Sequence, residues 1–82
     1  MDRYLIETPH TAEDCAKLVE EIAALGYLHH FEWGCADGVH CGWAMVETDS
    51  LAHARQMVPW DVREKARVIK LNKFEDVDPL HQ

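Results

Sequence analysis

From Asp2 to Thr8 the chain places Tyr4, Leu5 and Ile6 at the centre of a short run of β-formers, which predicts a first strand. Pro9 ends it, because proline cannot donate to a ladder. Thr11 then opens a helix. Thr-x-x-Asp is a capping-box pattern with Asp14 in place of the usual glutamate, and Glu13 and Asp14 suit the positive helix start. Cys15, Leu18, Val19, Ile22 and Leu25 recur at helical spacing as one apolar stripe, with Lys17, Glu20 and Glu21 on the other side. Gly26 closes the helix as a left-handed cap.

Tyr27 to Thr48 reads as one β-hairpin turning at Ala36-Asp37-Gly38. The turn is either a three-residue loop with Gly38 left-handed or a two-residue turn at Asp37-Gly38. One residue of slip swaps the faces of one strand relative to the other. The three-residue register is preferred. It puts His29, Phe31, Trp33 and Cys35 on one face with Val39, Cys41, Trp43 and Met45. Leu28, His30, Glu32 and Gly34 then share the other face with His40, Gly42, Ala44 and Val46. Asp49 or Ser50 caps a second helix with Leu51, Ala54, Met57 and Val58 inward, ended by Pro59 and Trp60. Ala66 to Phe74 is a last strand.

The order β-α-β-β-α-β is the split pattern of a ferredoxin-like domain. It predicts an α+β fold over residues 1–74: four antiparallel strands in the order 4-1-3-2, with both helices on one face. Residues 75–82 read as a polar tail. The helix-free face keeps apolar side chains and has no third layer to cover it. An exposed apolar sheet of this size marks an association surface, so a homodimer of the dimeric α+β barrel type is expected.

Composition narrows the function classes. At 82 residues, 48% apolar and 28% charged, the chain is one globular domain. No apolar run approaches the roughly 20 residues of a membrane span, and the N-terminus lacks a secretion-signal pattern. A cytoplasmic location is the expectation, with no membrane partner. A net charge of −7 argues against nucleic acid, which needs a basic footprint. Three cysteines, an odd number, fit reduced thiols better than a secreted disulfide scaffold. Five of the eight basic residues, Arg63 to Lys73, fall within eleven positions. They offer a stripe for a small anionic ligand, or simply a solvated strand edge.

Element order then does what linear spacing cannot. The end of strand one, the start of helix one, the hairpin tip and the start of strand four lie at one edge of the predicted sheet. His10, Cys15, Cys35, His40, Cys41, Trp60, Arg63 and Lys65 gather there. Cysteine and histidine are the ligands that Zn²⁺, Ni²⁺ or Cu⁺ prefer. His10, Cys35, His40 and Cys41 are therefore the candidate metal ligands. His10, Trp33, His40, Trp43, Trp60, Arg63 and Lys65 are the candidate ligand-binding set, with the three tryptophans able to line an aromatic cavity. The alternative for the cysteines is that they are small buried hydrophobes, and Cys15, on the apolar stripe, reads first as core. At the opposite edge, His30 and Glu32 share a face and could form an acid–base pair. His29 and His30, neighbours in a strand, point to opposite faces and do not chelate together.

Tyr4-Leu-Ile-Glu-Thr-Pro-His10-Thr11, Glu32-Trp-Gly-Cys35, His40-Cys-Gly-Trp-Ala44, Lys65-Ala-Arg-Val68 and Lys73-Phe74 resemble a family of small uncharacterised bacterial proteins. That resemblance brings no activity with it. The layout is similar to the dimeric α+β barrel proteins, which include muconolactone isomerases and small monooxygenases. The likeness implies a ligand between the helix-free sheet face and nearby loops, and no catalytic residue can be carried over. Three functions follow as expectations: a metal- or ligand-binding domain at the His10/Cys35/His40 edge, a small isomerase or cofactor-independent oxygenase, or a purely structural dimer.

Overall fold

β1 (Asp2–Pro9) runs through the middle of the sheet. It pairs antiparallel with β3 (Cys41–Thr48) on one side and with β4 (Arg67–Leu71) on the other. The short β2 (Phe31–Trp33) pairs antiparallel with the far side of β3. The order is β2-β3-β1-β4, which reads 4-1-3-2 from the opposite edge. Two helices, α1 (Cys15–Ala24) and α2 (Leu51–Arg55), complete an α+β fold. The computed structural model describes residues 1–74, and the polar tail expected over 75–82 lies outside them. No helix among the described residues is long and apolar enough to cross a membrane.

Alternation along the strands sorts the sheet into two faces. Tyr4, Ile6, Phe31, Ala44 and Val46 point to one side and pack with Leu18 and Ile22 of α1 and with Ala54, Met57 and Val58 in and after α2. Ile6 is wholly buried in this core, and truncating such a residue to alanine costs about 2–5 kcal/mol. The other face carries Leu5, Met45 and Ile69, which are register partners across three strands. Rows of charge lie on either side of them: Glu7 with Arg67, and Arg3 with Glu47.

The helix ends follow local chemistry. Thr11 Oγ1 accepts a hydrogen bond from the Asp14 backbone at 3.3 Å, and the first turn, Ala12–Asp14, is 3₁₀ before α1 proper begins. Ser50 Oγ accepts from the His53 backbone at 3.1 Å. Gly26 takes φ = 86°, a conformation open to glycine at little cost. The apolar stripes are shorter than the sequence predicts. Leu25 is 47% exposed, just past the end of α1, and Leu51, at the start of α2, stands 39% exposed.

The hairpin departs from expectation in two ways. Tyr27 to His30 are not strand: Leu28–His30 form a 3₁₀ turn, and β2 begins at Phe31. The register is also not the preferred one: the strands pair as in the two-residue alternative, although the loop between them is wider. Phe31 pairs with Ala44, Glu32 with Trp43, and Trp33 with Gly42. Trp33 therefore faces the helices and Trp43 faces away. The connection is neither a two- nor a three-residue turn. Cys35–Asp37 make a 3₁₀ turn, Gly38 follows at φ = 84°, and the Gly34 N–H closes the loop on the Cys41 carbonyl at 3.1 Å.

What fixes the register is a reciprocal packing of tryptophan on glycine. Trp33 lies across Gly42, where an added Cβ would stand 2.7 Å from the indole and 2.8 Å from Thr8 Oγ1. On the other face Trp43 lies across Gly34, where a Cβ would stand 2.9 Å from the ring and 2.8 Å from the Val39 carbonyl. Each glycine leaves room for the other strand's indole, so the two strands are locked from both sides.

Candidate functional site

His10 is the first residue past β1. Its backbone N–H donates to the His40 carbonyl at 3.0 Å, which ties the end of β1 to the hairpin loop. Its Nδ1 lies 2.9 Å from the Thr8 carbonyl. A carbonyl only accepts, so Nδ1 carries the proton and the neutral ring leaves Nε2 bare. That bare nitrogen lies 3.3 Å from Cys35 Sγ. Thr8 is itself wholly buried, and its hydroxyl bridges the Gly42 N–H and carbonyl, both at 3.2 Å. The imidazole thus hangs on a fixed piece of backbone. Trp33 meets it edge-on at 5.8 Å between ring centroids.

Cys35 starts the 3₁₀ turn of the hairpin loop and His40 ends that loop just before β3. The His10 and His40 rings stand 6.0 Å apart between centroids. One nitrogen of each ring and Cys35 Sγ lie within 4.8 Å of one another, and all three residues are half-buried. His40 Nδ1 is buried and has no hydrogen-bond partner among the described residues. A buried polar atom without a partner costs about 1–3 kcal/mol, so it calls for an occupant.

Cys15 stands beside this group, against Cys35, but outside the three donors that lie within 4.8 Å of one another. It is the first residue of α1, and its Sγ lies 3.2 Å from Cys35 Sγ. Its thiol is pushed above the ordinary range, first by the hydrogen bond with Cys35 and then by burial. The expected role of core residue on the apolar stripe does not describe it: Leu18 and Ile22 go into the core while the Cys15 sulfur turns to the loop.

The remaining sequence candidates separate. Cys41 is buried, with its thiol against the Gly42 carbonyl at 3.5 Å, and stands outside the His10–Cys35–His40 group. Burial pushes that thiol up. Cys41 opens β3, and its N–H closes a tight turn on the Val39 carbonyl at 2.9 Å with His40 at the centre. Trp33 and Trp43 lie on opposite faces and Trp60 is 80% exposed, so the three line no common cavity. Trp43 instead donates to Glu7 at 3.2 Å, and Glu7 pairs with Arg67 at 3.5 Å. Arg63 spends its guanidinium on the Val58 carbonyl, at 2.8 and 3.2 Å. Lys65 opens on a small cleft of about 150 Å³ beside His10, shared with Lys17, Asp14, Glu21 and Asp61. Lys17 pairs with Asp61 at 3.3 Å. Burial raises Asp61, but hydrogen bonds with Glu21 and Lys17 outweigh it and hold the carboxyl below its usual range. Three carboxylates against two ammoniums do not make a seat for an anion.

The opposite edge has its own grouping. His29 and His30 stand 4.1 Å apart between ring centroids. They come together because they sit on a turn, not in a strand as the sequence predicts. With Glu32, Trp43, Met45 and Leu5 they line an open groove of about 420 Å³ on the helix-free face. His53 is not part of it and bonds Thr48 Oγ1.

Two signals for the site were present in the chain. Cys15 sits four residues after a capping threonine, which fixes the first helical turn and hence its sulfur. The glycines at 34 and 42 leave room for the indoles that set the loop. Comparison with protein-family models, with curated proteins and with solved structures finds no match for this chain.

Proposed function

We propose that the chain is a metal-binding domain whose ligands include His10, Cys35 and His40, with Zn²⁺ the first candidate and Ni²⁺ or Cu⁺ the alternatives. The observation that carries this is the three-donor group with a buried, unpartnered nitrogen on His40. Imidazole and thiolate are the donors these ions prefer. The carbonyl of Thr8 on His10 Nδ1 is the outer-shell partner that orients a ligating imidazole. Three protein donors fit either a site with an open position for a small ligand or a fuller set. Metal analysis of protein purified without an affinity tag is expected to find one ion per chain, lost in Cys35→Ala or His40→Ala. Substoichiometric metal that neither substitution changes would overturn the reading.

The same reading includes a ferredoxin-like layout and a homodimer through the helix-free face. Met45, 63% exposed, stands in the apolar row with Leu5 and Ile69, and the flanking rows carry both signs of charge. A two-fold axis can pair such rows with themselves. Light scattering at micromolar concentration should give a dimer, and Met45→Lys a monomer. A monomeric parent protein removes this part.

A second reading is favoured by the groove at His29, His30, Glu32 and Trp43. It holds an imidazole and a carboxylate beside an indole, the makings of an acid–base site for a small organic substrate. A partner copy across the helix-free face would roof it. Quenching of Trp43 fluorescence by small hydroxylated aromatic acids, abolished in Glu32→Gln or His30→Ala, would support it. No quenching across such a panel would count against it.

A further inference from the structure

The metal reading leaves one neighbouring donor unassigned. Cys15 Sγ is 3.2 Å from Cys35 Sγ, about the spacing of His10 Nε2 from the same sulfur at 3.3 Å. In a tetrahedral zinc site two sulfurs stand about 3.8 Å apart and a sulfur and a nitrogen about 3.5–3.6 Å, given bonds of about 2.3 and 2.0–2.1 Å. Both contacts are a few tenths of an ångström short of that geometry, and a small side-chain rotation reaches it. We infer that Cys15 is the fourth ligand, so that His10, Cys15, Cys35 and His40 form a closed tetrahedral set of two sulfurs and two nitrogens. The inference rests on the metal reading above and deepens it.

Three observations support the assignment. The first is placement. Thr11 caps the 3₁₀ turn Ala12–Asp14, and this fixes Cys15 at the first position of α1, with its sulfur directed at the loop and not at the Leu18–Ile22 core. The second is charge. Two thiolates neutralise a divalent ion, whereas one thiolate leaves a net positive charge in a half-buried place, where an unpaired charge is costly. Trp33, against His10, adds apolar surface there and no countercharge. The third is the fate of the other thiol. Neither remaining thiol is among the three donors that already lie within 4.8 Å of one another. Cys15 touches one of them, Cys35, whereas Cys41, the sequence neighbour of His40, is turned to the Gly42 carbonyl. Cys41 therefore serves as an internal control.

A closed set has a different use from an open one. With four protein donors no position is left for substrate, and the ion becomes a cross-link between the end of β1, the start of α1 and the hairpin loop. Such sites contribute folding energy directly.

The test is a Co²⁺ titration of the reduced, metal-free full chain, followed by absorption. The parent protein is expected to show d–d bands of tetrahedral intensity and a sulfur-to-metal charge-transfer band. Cys15→Ser should cut the charge-transfer band to roughly half and weaken Co²⁺ affinity at least about tenfold, the loss that even an outer-shell partner brings. Cys41→Ser should change neither. Far-UV circular dichroism of each variant separates ligand loss from unfolding. Cys15→Ala, which lacks even a hydroxyl, is the second variant. If Co²⁺ binds with a one-thiolate spectrum that both Cys15 variants leave intact, the inference falls and the three-donor site stands. If Co²⁺ does not bind the parent protein at all, the metal reading falls with it.

Discussion

Each end of the sheet brings two histidines together, and the two pairs are built differently. His29 and His30 are neighbours on a 3₁₀ turn, exposed, with their rings tilted against each other. They arrive as a pair because the sequence makes them one. His10 and His40 are thirty positions apart and meet because β1 pairs with β3 and their backbones share a hydrogen bond. At that end one ring is held by the Thr8 carbonyl, one nitrogen is buried without a partner among the described residues, and two sulfurs stand alongside. Histidine density is thus a poor guide to a site. Fixed tautomer, burial and convergence of donors from separate elements distinguish the tip from the opposite edge.

The largest effect that could break this contrast is on metal affinity. His40→Ala or Cys35→Ala is expected to weaken Zn²⁺ binding by on the order of 100-fold or more, since losing an outer-shell partner alone costs 10–100-fold. His29→Ala with His30→Ala should leave it unchanged. Competition against a chromogenic chelator reads both. Equal losses at the two ends would erase the distinction.

Next comes stability. Zn²⁺ at about a hundred times its dissociation constant should stabilise the fold by about 2.7 kcal/mol, seen as a raised urea midpoint that a chelator reverses. An unmoved midpoint would mean that the ion does not distinguish folded from unfolded chain.

Gly42→Ala is expected to cost about 1–3 kcal/mol by pushing Trp33 off its seat. Because that indole touches His10, metal affinity should fall as well. Gly26→Ala, at a positive φ with open space around it, should cost about 1 kcal/mol and leave the metal alone. The pair of substitutions separates strain at the site from strain elsewhere.

The smallest effect is the pH dependence of the metal-free protein. The Cys15 and Cys41 thiols are both raised, the first by its hydrogen bond to Cys35 and the second by burial. A raised folded-state value contributes stability that is present below the unfolded value and lost as pH rises through the folded one. Urea midpoints should therefore decline on the alkaline side of the ordinary thiol range and stay flat just below it. Cys41 should also be the last thiol to react with iodoacetamide, and a Cys41 that reacts first would contradict its burial.

Much of this was legible in the chain. Thr11, Gly26 and Ser50 mark the helix ends by local chemistry that tertiary packing did not override. The meeting of His10, Cys35 and His40, with Cys15 beside Cys35, followed from element order alone. The preferred hairpin register is not the one formed, and the observed pairing is that of the Asp37-Gly38 alternative. Asp37-Gly38 reads as a tight turn, but the chain spends Cys35 to His40 on a wider loop, and the tryptophan–glycine packing sets the pairing. That packing acts between strands, so no local window contains it. Cys41 and Cys15 exchanged places. Adjacency to His40 favoured Cys41, while its thiol is buried against the Gly42 carbonyl and the first helical turn sets Cys15 beside Cys35. Trp60 shows the converse: an aromatic that composition assigns to a core or cavity stands in the open.

The placement of β1 has a consequence in time. It needs both β3 and β4 to saturate its edges, and β4 is the last strand of the described chain. His10, Cys15, Cys35, His40 and both strands of the β1–β3 ladder are in hand once Thr48 has been made. At roughly 5–20 residues per second of synthesis, the stretch from Thr48 to Leu71 takes on the order of seconds. Through that interval one edge of β1 stays open, with its N–H and C=O groups unpaired. An ion captured then would reinforce the His10–His40 backbone bond at that end of the half-built sheet, so the first half of the chain can wait for the second.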